Sequence, residues 1–405
     1  MGMALEGIQV LDWSQWQQGP IASMLLGDLG ADVIKIEERT GGDPARGAIR
    51  VGGNFVAKNL MQRNPYFEIG NRNKRSIALD LKKESARRIV YRLVERADVF
   101  VHNFRPSAAE RLGVDYETLV KHNPRLIYAQ SSGWGAKGPD KDAPSFDPAA
   151  MARSGFWSLL TEPGREPNYP QGGIADAMGG IMTAFGVLAA LVHRDHTGEG
   201  QKLDASILGG MAYLVGYPLT IYTMAGFPPR FIPRKNPWNP LYTQYRCGDD
   251  RWLALVLIPP DKYWARLCRA IGLQHLEKDP RFDSLDNRQK NAAELIAILD
   301  ESFAAKPSDE WLKILKANDL PAWRISTIEE FASDPQTLAN EYVTEYDHPV
   351  WGKIRTMGFP VNLSRTPCSI RREAPELGQH TEEVLTELLG YTWDDIARLK
   401  DEQAI

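Results

Sequence analysis

Residues 7–37, GIQVLDWSQWQQGPIASMLLGDLGADVIKIE, decide the fold. Ile8 and Val10 alternate with polar neighbours in the opening run, the period of a strand. Gly19 and Pro20 then interrupt it, and proline suits the first turn of a helix. Ile21, Met24, Leu25 and Leu29 recur at helical spacing, and Gly30 can close that helix. The Val- and Ile-rich run 31–37 predicts a second strand. Strand, helix, strand is one βαβ unit, the element from which parallel sheets are built.

The pattern repeats outward. SIALDL (76–81), DVFVHNF (98–104) and RLIYAQSSG (125–133) read as strands. The charged run from Lys82 to Ala97 reads as an exposed helix with Ile89, Leu93 and Val94 inward. A long helix rich in Ala, Gly and Met is expected from Ile174 to about Arg194, after Gly172 and Gly173. HTGEGQ (196–201) is a turn, and KLDASIL (202–208) resumes extended structure. The first half of the chain is therefore expected to be a doubly wound α/β domain.

Composition changes after Gly226. GFPPRFIPRKNPWNP (226–240) is too rich in proline for regular helix and reads as a linker or site loop. YTQYRC and RWLALVLI read as a hairpin around Gly248, Asp249 and Asp250. Helices are expected from about Lys262 to about Asn318, strand-like segments around Ile354 and Val361, and a charged helical piece from His380 to Leu389. The expected division is a large domain over 1–227, a small domain over 228–330, and a segment over 331–405 that returns to the large domain.

The chain has 405 residues and a formal net charge of -4. That balance gives no global basic surface for nucleic acid or an anionic membrane. Cys247, Cys268 and Cys368 are odd in number and far apart, which fits neither a disulfide framework nor a metal knuckle and points to a reducing cytoplasm. The start, with Glu6 and Asp12, lacks the marks of a signal peptide. Apolar stretches such as Ile181 to Val192 read as too short or too broken by glycine to span a bilayer. His193 and His196 read as a solvated helix end, so no metal site is expected.

A dinucleotide site would need G-x-G-x-x-G after the first strand. The turn here is SQWQQGP (14–20), with Pro20 where a phosphate needs free N–H groups, so nicotinamide and flavin are disfavoured. Asp176 lies in the first turn of an otherwise apolar helix. The positive end of a helix keeps a carboxylate ionised, by about 0.3–1 kcal/mol. Such a carboxylate can attack a thioester, or it can simply cap the helix. Asn103, Phe104, Arg105 and Arg111 combine an amide, a ring and guanidinium groups suited to a phosphorylated adenine nucleotide, and equally suited to surface packing. NKRS (73–76) reads as a solvated basic loop ahead of a strand.

Taken together, several ordered segments resemble the family III coenzyme A transferases. They are residues 5–46, NRNKRSIALDLK (71–82), ADVFVHNFRPSAAERLG (97–113), NPRLIYAQSSGWGAKGP (123–139), residues 172–208 and ELGQHTEEVLTELLGY (376–391). The resemblance is nearly continuous to about residue 210, sparse in the middle, and returns near the end. It implies a Rossmann-like large domain built from both chain ends, a smaller α+β domain, and two subunits threaded through each other. The partner would be a second copy or a related chain. It also implies a reaction. A carboxylate attacks an acyl-CoA donor, CoA opens the resulting anhydride to give an aspartyl-CoA thioester, and an acceptor acid then takes the CoA. No cofactor is held permanently, because CoA and acyl-CoA are substrates.

Residue by residue, the resemblance puts the nucleophile at Asp176 and a donor to the reacting carbonyl at Gln17. Leu79, Asn103, Phe104 and Arg111 match residues that line the nucleotide or pantetheine of CoA. Phe146 and Asp147 stand where many transferases have tyrosine followed by an acid, so a hydroxyl is missing. Glu38 stands where some members carry an arginine that contacts the nucleotide. Racemases of the superfamily place a histidine in the segment that here reads Ser145-Phe146-Asp147, which disfavours a racemase or isomerase. The glycine-rich loop of the oxalate-type enzymes is absent; Pro237, Trp238 and Pro240 stand in its region. Trp13, Trp16, Trp134, Trp157 and Trp238 fall near the expected site and read equally as core or interface residues; those that line the pocket, with Phe146 and Asp147, suggest a bulky or aryl acid. Benzylsuccinate with succinyl-CoA as donor fits that pocket, and carnitine-like and small dicarboxylic acids stay open. A non-catalytic CoA-binding subunit of a heteromeric transferase is the alternative.

Overall fold

The structure, a computed structural model, describes residues 2–48, 50–51, 54–55 and 64–405. It divides into two units. One comprises Met1–Leu159, Asn168–Pro229 and Leu338–Ile405, the other Leu160–Pro167 and Arg230–Thr337.

The first unit is built on six parallel strands: β1 (Gln9–Trp13), β2 (Asp32–Glu38), β3 (Lys74–Leu79), β4 (Val99–His102), β5 (Ile127–Ser132) and β6 (Lys202–Ser206). Their order is β3-β2-β1-β4-β5-β6. The chain works outward from β1 in one direction, then returns to β4 and works outward in the other. That reversal leaves a crevice at the carboxyl ends of β1 and β4, the usual binding place in an open α/β sheet.

The helices that frame the sheet and the site include α1 (Gln18–Asp28), α2 (Pro65–Asn71), α3 (Glu84–Val94), α4 (Pro106–Leu112), α5 (Asp147–Arg153), α6 (Ile174–Thr197), α7 (Ile207–Leu214) and α8 (Gly216–Ala225). Two layers of side chains follow from the two-residue period of a strand. Leu11, Trp13, Ile34, Ile36, Ile77 and Leu79 face α3, where Ile89, Leu93 and Val94 are fully buried, as the helical spacing predicts. Val384, Leu385, Ile396 and Leu399 join this layer, so the end of the chain packs on the sheet that its beginning forms. On the other face Val10, Val33, Val99 and Val101 meet Leu26 of α1 and Val187 and Leu191 of α6. Gly179 and Gly180 let α6 approach α1. A Cβ on Gly180 would sit 2.7 Å from the Gln18 carbonyl oxygen.

Three sequence expectations change. NKRS is not a solvated loop: Lys74 and Ser76 are fully buried in β3 and Asn73 donates to Asp28 at 2.7 Å. No strand forms at Val361, although Ile354 does lie in one, Gly352–Met357. Helix α6 is long and apolar enough to cross a membrane by length and composition. Here one side of it is buried on α1 and the sheet, and its last turns hold Arg194, buried and paired with Asp98 at 2.9 Å.

The second unit carries a three-stranded antiparallel sheet of Gln244–Arg246, Trp252–Leu255 and Ala322–Arg324, with the middle segment at its centre. The first two pair as the predicted hairpin, and Asp250 in the turn takes a φ of +63°. Helices Pro260–Ala270, Ala292–Ala304 and Ser308–Ala317 cover one face, with Leu253, Leu255, Trp264, Leu299, Phe303 and Trp311 in the core.

Beneath the crevice the α1 face of the first sheet turns from apolar to charged. Asp12 lies opposite Lys35, which lies opposite Ser76. Lys74 Nζ meets Asp12 Oδ2 at 2.8 Å and Lys35 Nζ meets Asp43 Oδ2 at 3.0 Å, with side chains wholly out of water. Removing one partner of a buried ion pair strands the other, at about 3–5 kcal/mol. Lys74→Met is therefore expected to lower unfolding stability by about that amount in urea titrations. A change under about 1 kcal/mol would show that the pair is not holding Asp12.

Candidate active site

The crevice is shaped by the four residues between β1 and α1. Ser14 to Gln17 cannot continue the strand, because Trp16 adopts a left-handed φ of +64°. Side chains from three other elements hold the loop. Lys35 Nζ donates to the Ser14 carbonyl at 2.8 Å. Asn103, just past β4, exchanges two bonds with the Gln15 backbone: its Nδ2 donates at 2.7 Å and its Oδ1 accepts at 2.9 Å. Asp43 Oδ1 accepts from the Trp16 N–H at 3.0 Å. Gln17 then occupies the N-cap position of α1 without a side-chain cap, and its amide lies against Gly173. A Cβ on Gly173 would sit 2.2 Å from Gln17 Oε1, and Gly173 has a φ of +64°, so only glycine fits there.

Gly173 is also the residue before α6, and Asp176 lies in that helix's first turn. A cavity of about 340 Å³ brings together Trp16, Gln17, Asn103, Phe104, Phe146 and Asp176. Arg105 and Lys141 stand on its wall as cations. A second cavity of about 330 Å³ lies at the carboxyl ends of β1, β2 and β3 and includes Trp13, Glu38, Leu79, Lys82 and Phe104. Trp13 and Phe104 stack with ring centroids 4.1 Å apart, and Phe104 borders both cavities. Arg111 is exposed in the last turn of α4 and lines neither. Both faces of the Asn103 amide are engaged with Gln15.

Asp147 does not point a free carboxylate into the cavity. Its Oδ1 accepts from the backbone N–H of Ala175 at 2.7 Å and of Asp176 at 3.0 Å. The expectation that the start of the helix keeps Asp176 ionised is thus overturned. Those N–H groups already serve Asp147, which is itself negative. Burial first, and then the Asp147 charge, push Asp176 up to about 7. Burial also raises Asp147, against the two N–H groups that it accepts from.

Sequence reasoning missed Tyr66 in α2. Its hydroxyl lies 3.4 Å from Gln17 Oε1. Burial, and after it the charges of Asp176, Asp43 and Asp147, raise its pKa, so the phenol stays protonated as a donor. A donor on Oε1 leaves the Gln17 Nε2 hydrogens for another acceptor. A single tyrosine in PYFEIGN carries no signal of this contact. Among the described residues no group of three or more His, Cys, Asp or Glu could hold a metal ion.

The Asp176 shift has a consequence for stability. Folded Asp176 keeps its proton to about pH 7, whereas the unfolded carboxyl releases it near 3.8. Ionising it within the fold costs stability, and the cost grows as pH rises through that window. Asp176→Asn is expected to melt higher than the unsubstituted protein, with a margin that widens from pH 4 to pH 7.5 in thermal scans. A margin independent of pH would contradict the shift.

Comparisons with known proteins agree on the family of the chain. Residues 5–381 match the family described as CoA-transferase family III. The (R)-2-hydroxy-4-methylpentanoate CoA-transferase of Clostridioides difficile is 34% identical over 412 residues, spanning 100% of both chains. The cinnamoyl-CoA:phenyllactate CoA-transferase of Clostridium sporogenes is 31% identical, over 98% of this chain and 96% of its own. A solved CaiB/BaiF family protein from Brucella suis shares the fold with a TM-score of 0.84 at 29% identity, over 96% of this chain and 100% of that one. This chain belongs to CoA-transferase family III and is a CoA-transferase.

Proposed function

We propose that the enzyme moves CoA from an acyl-CoA donor to a carboxylic acid acceptor through an aspartyl-CoA thioester at Asp176. The observation that carries this is the meeting of Asp176 with Gln17 in one cavity, beside a second cavity at the carboxyl edge of the sheet. The Asp176 carboxylate attacks the donor's thioester carbonyl, and the C–S bond breaks to give a mixed anhydride and CoA thiolate. The thiolate attacks the Asp176 carbonyl, which forms the aspartyl thioester and releases the donor as its carboxylate. The acceptor carboxylate attacks that thioester and expels CoA thiolate. The thiolate then takes the acceptor's acyl carbon and restores Asp176. Gln17 Nε2 donates to the oxyanion of each tetrahedral stage. Burial that raises Asp176 also strips water from it, which makes its ionised form a better nucleophile.

The second cavity suits the nucleotide end of CoA. Trp13, Leu79 and Phe104 offer apolar and ring surface there and Lys82 a charge toward phosphate, while Arg105 and Lys141 offer charge from the adjoining first cavity. Glu38 is the unfavourable neighbour there. Arg111, exposed on α4, would reach only an outlying phosphate.

Trp16 and Phe146 make the acyl side bulky and apolar, which supports a branched or aryl acceptor. The relatives' names, one for a 4-methyl 2-hydroxy acid and one for phenyllactate, support a 2-hydroxy acid over benzylsuccinate. Succinyl-CoA remains a donor to test. A racemase would need a base near Asp147, where Phe146 supplies none.

The working form is proposed as an interlocked homodimer in the cytoplasm, with the second unit as the small domain. An apolar surface supports the dimer: Phe185 on α6, Tyr213 on α7, and Tyr217 and Met224 on α8 are 67%, 75%, 81% and 83% exposed. Surface of this kind is normally covered by a partner.

The purified single chain is expected to turn over, and Asp176→Ala to lose at least about 1,000-fold in kcat. Retained turnover in that variant would reject the nucleophile, and turnover only with an added related chain would favour the heteromeric reading. Asp147→Asn keeps an oxygen for the helix N–H groups and removes the charge. The acid limb of the kcat profile, expected near pH 7, should move to lower pH in that variant. An unmoved limb would show that Asp147 does not act on Asp176.

A further inference from the structure

Lys35 and Asp43 lie in the run 32–43 and have no part in the reaction as written above. Both are buried, at 0% and 3% exposure, beneath the β1–α1 loop. We propose that Asp43, paired with Lys35, is a positioning residue that fixes the reach of Gln17 toward the carbonyl attacked by Asp176. This rests on the transferase reading of the cavity.

The geometry is a clamp. The pair closes at 3.0 Å. Lys35 holds the carbonyl of Ser14 and Asp43 holds the N–H of Trp16, so one ion pair grips the loop on both sides of Gln15. Trp16 sits between Asp43 and Gln17 in the left-handed region, which a side chain with a Cβ adopts only when held there. Gln17 follows directly, and its amide lies within the gap left by Gly173.

Asp43 is itself held from behind. Its N–H donates to Glu37 Oε2 at 3.0 Å, and Arg46 grips the same carboxylate through Nε at 2.8 Å and Nη2 at 2.7 Å. Gly42 makes the turn at a φ of +65°, where a Cβ would meet Leu377, Glu37 and Arg46 at 3.0–3.2 Å. Asp43 Oδ1 also accepts from Ala45 N–H at 2.9 Å, which starts the next turn. The carboxylate is therefore delivered to the loop by a rigid corner rather than by a flexible arm. Burial works against the charge on Lys35, but Asp43, Asp12 and Glu37 together hold its pKa above the ordinary lysine value. The Lys35 ammonium stays charged across the working pH range.

A positioning residue loses rate without losing substrate. Asp43→Ala is expected to lower kcat on the order of 10- to 100-fold, the cost of displacing a catalytic group by about 1 Å, with KM for the acyl-CoA within about 2-fold. Asp43→Asn keeps an acceptor for Trp16 N–H but loses the charge that meets Lys35, and is expected to recover part of the loss. It also serves as the folded variant if the alanine form fails to fold. The decisive arm is a double-mutant cycle with Gln17→Ala. If Asp43 acts through Gln17, substituting Asp43 costs almost nothing further in the Gln17→Ala background. An equal loss in both backgrounds, or a raised KM at unchanged kcat, overturns the proposal. Failure of the transferase reading itself would show separately, as absent turnover in the unsubstituted enzyme.

Discussion

Two lysines and two aspartates lie under the carboxyl edge of the sheet with no water to turn to. Asp12, Lys35, Asp43 and Lys74 must satisfy one another. Burial raises Asp12, yet the Lys74 and Lys35 charges bring it below the ordinary carboxylate value; Lys74 falls to about 8 because burial outweighs its attraction to Asp12. The remaining valences are spent on backbone and hydroxyls. Asp12 takes Ser14 and Ser23, Lys74 takes the Pro20 carbonyl, and Lys35 takes the Ser14 carbonyl. Satisfying the charges and shaping the β1–α1 loop are therefore one event. A fully apolar layer here would be easier to bury, but it would leave the loop that carries Gln17 without anchors.

The second constraint sits across the crevice and has the opposite sense. The start of α6 offers N–H groups to an anion, and Asp147 takes two of them. Asp176 is left in the same turn with a burial cost and a neighbouring negative charge. An unstable carboxylate on a rigid helix start is costly for the fold and useful for attack. Both constraints converge because the strand order reverses between β1 and β4. That reversal puts the loop after β1 beside Asn103 and leaves space for a ligand above them.

Most of the sheet was legible in the sequence because its strands are near-continuous apolar runs closed by glycine and proline. Gly30 ends α1 and Gly198 ends α6, the latter one turn beyond the expected Arg194. Val361 misled because an isolated apolar residue carries no partner strand with it. Lys74 misled for the opposite reason. Period-two patterning puts it inward, but a lysine beside Arg75 reads as solvated until Asp12, 62 residues away, is seen to meet it. Asp176 could not be told from a cap on its own. The residue that does the capping, Asp147, lies 29 positions earlier, in another helix. Gln17 and Asp176 were reached through family resemblance, whereas Tyr66, Lys35 and Asp43 act through contacts that no local pattern announces.

The central claim is that Asp176 becomes covalently activated, and trapping it is the most direct measurement. The unsubstituted enzyme would be incubated with an acyl-CoA that it turns over, beginning with succinyl-CoA, and quenched with hydroxylamine. Hydroxylamine converts an aspartyl thioester or anhydride into a stable hydroxamate, which peptide mass mapping locates. A hydroxamate is expected at Asp176 and disappears when the acyl-CoA is omitted. A hydroxamate at another carboxylate, or none in enzyme shown to be turning over, would contradict it.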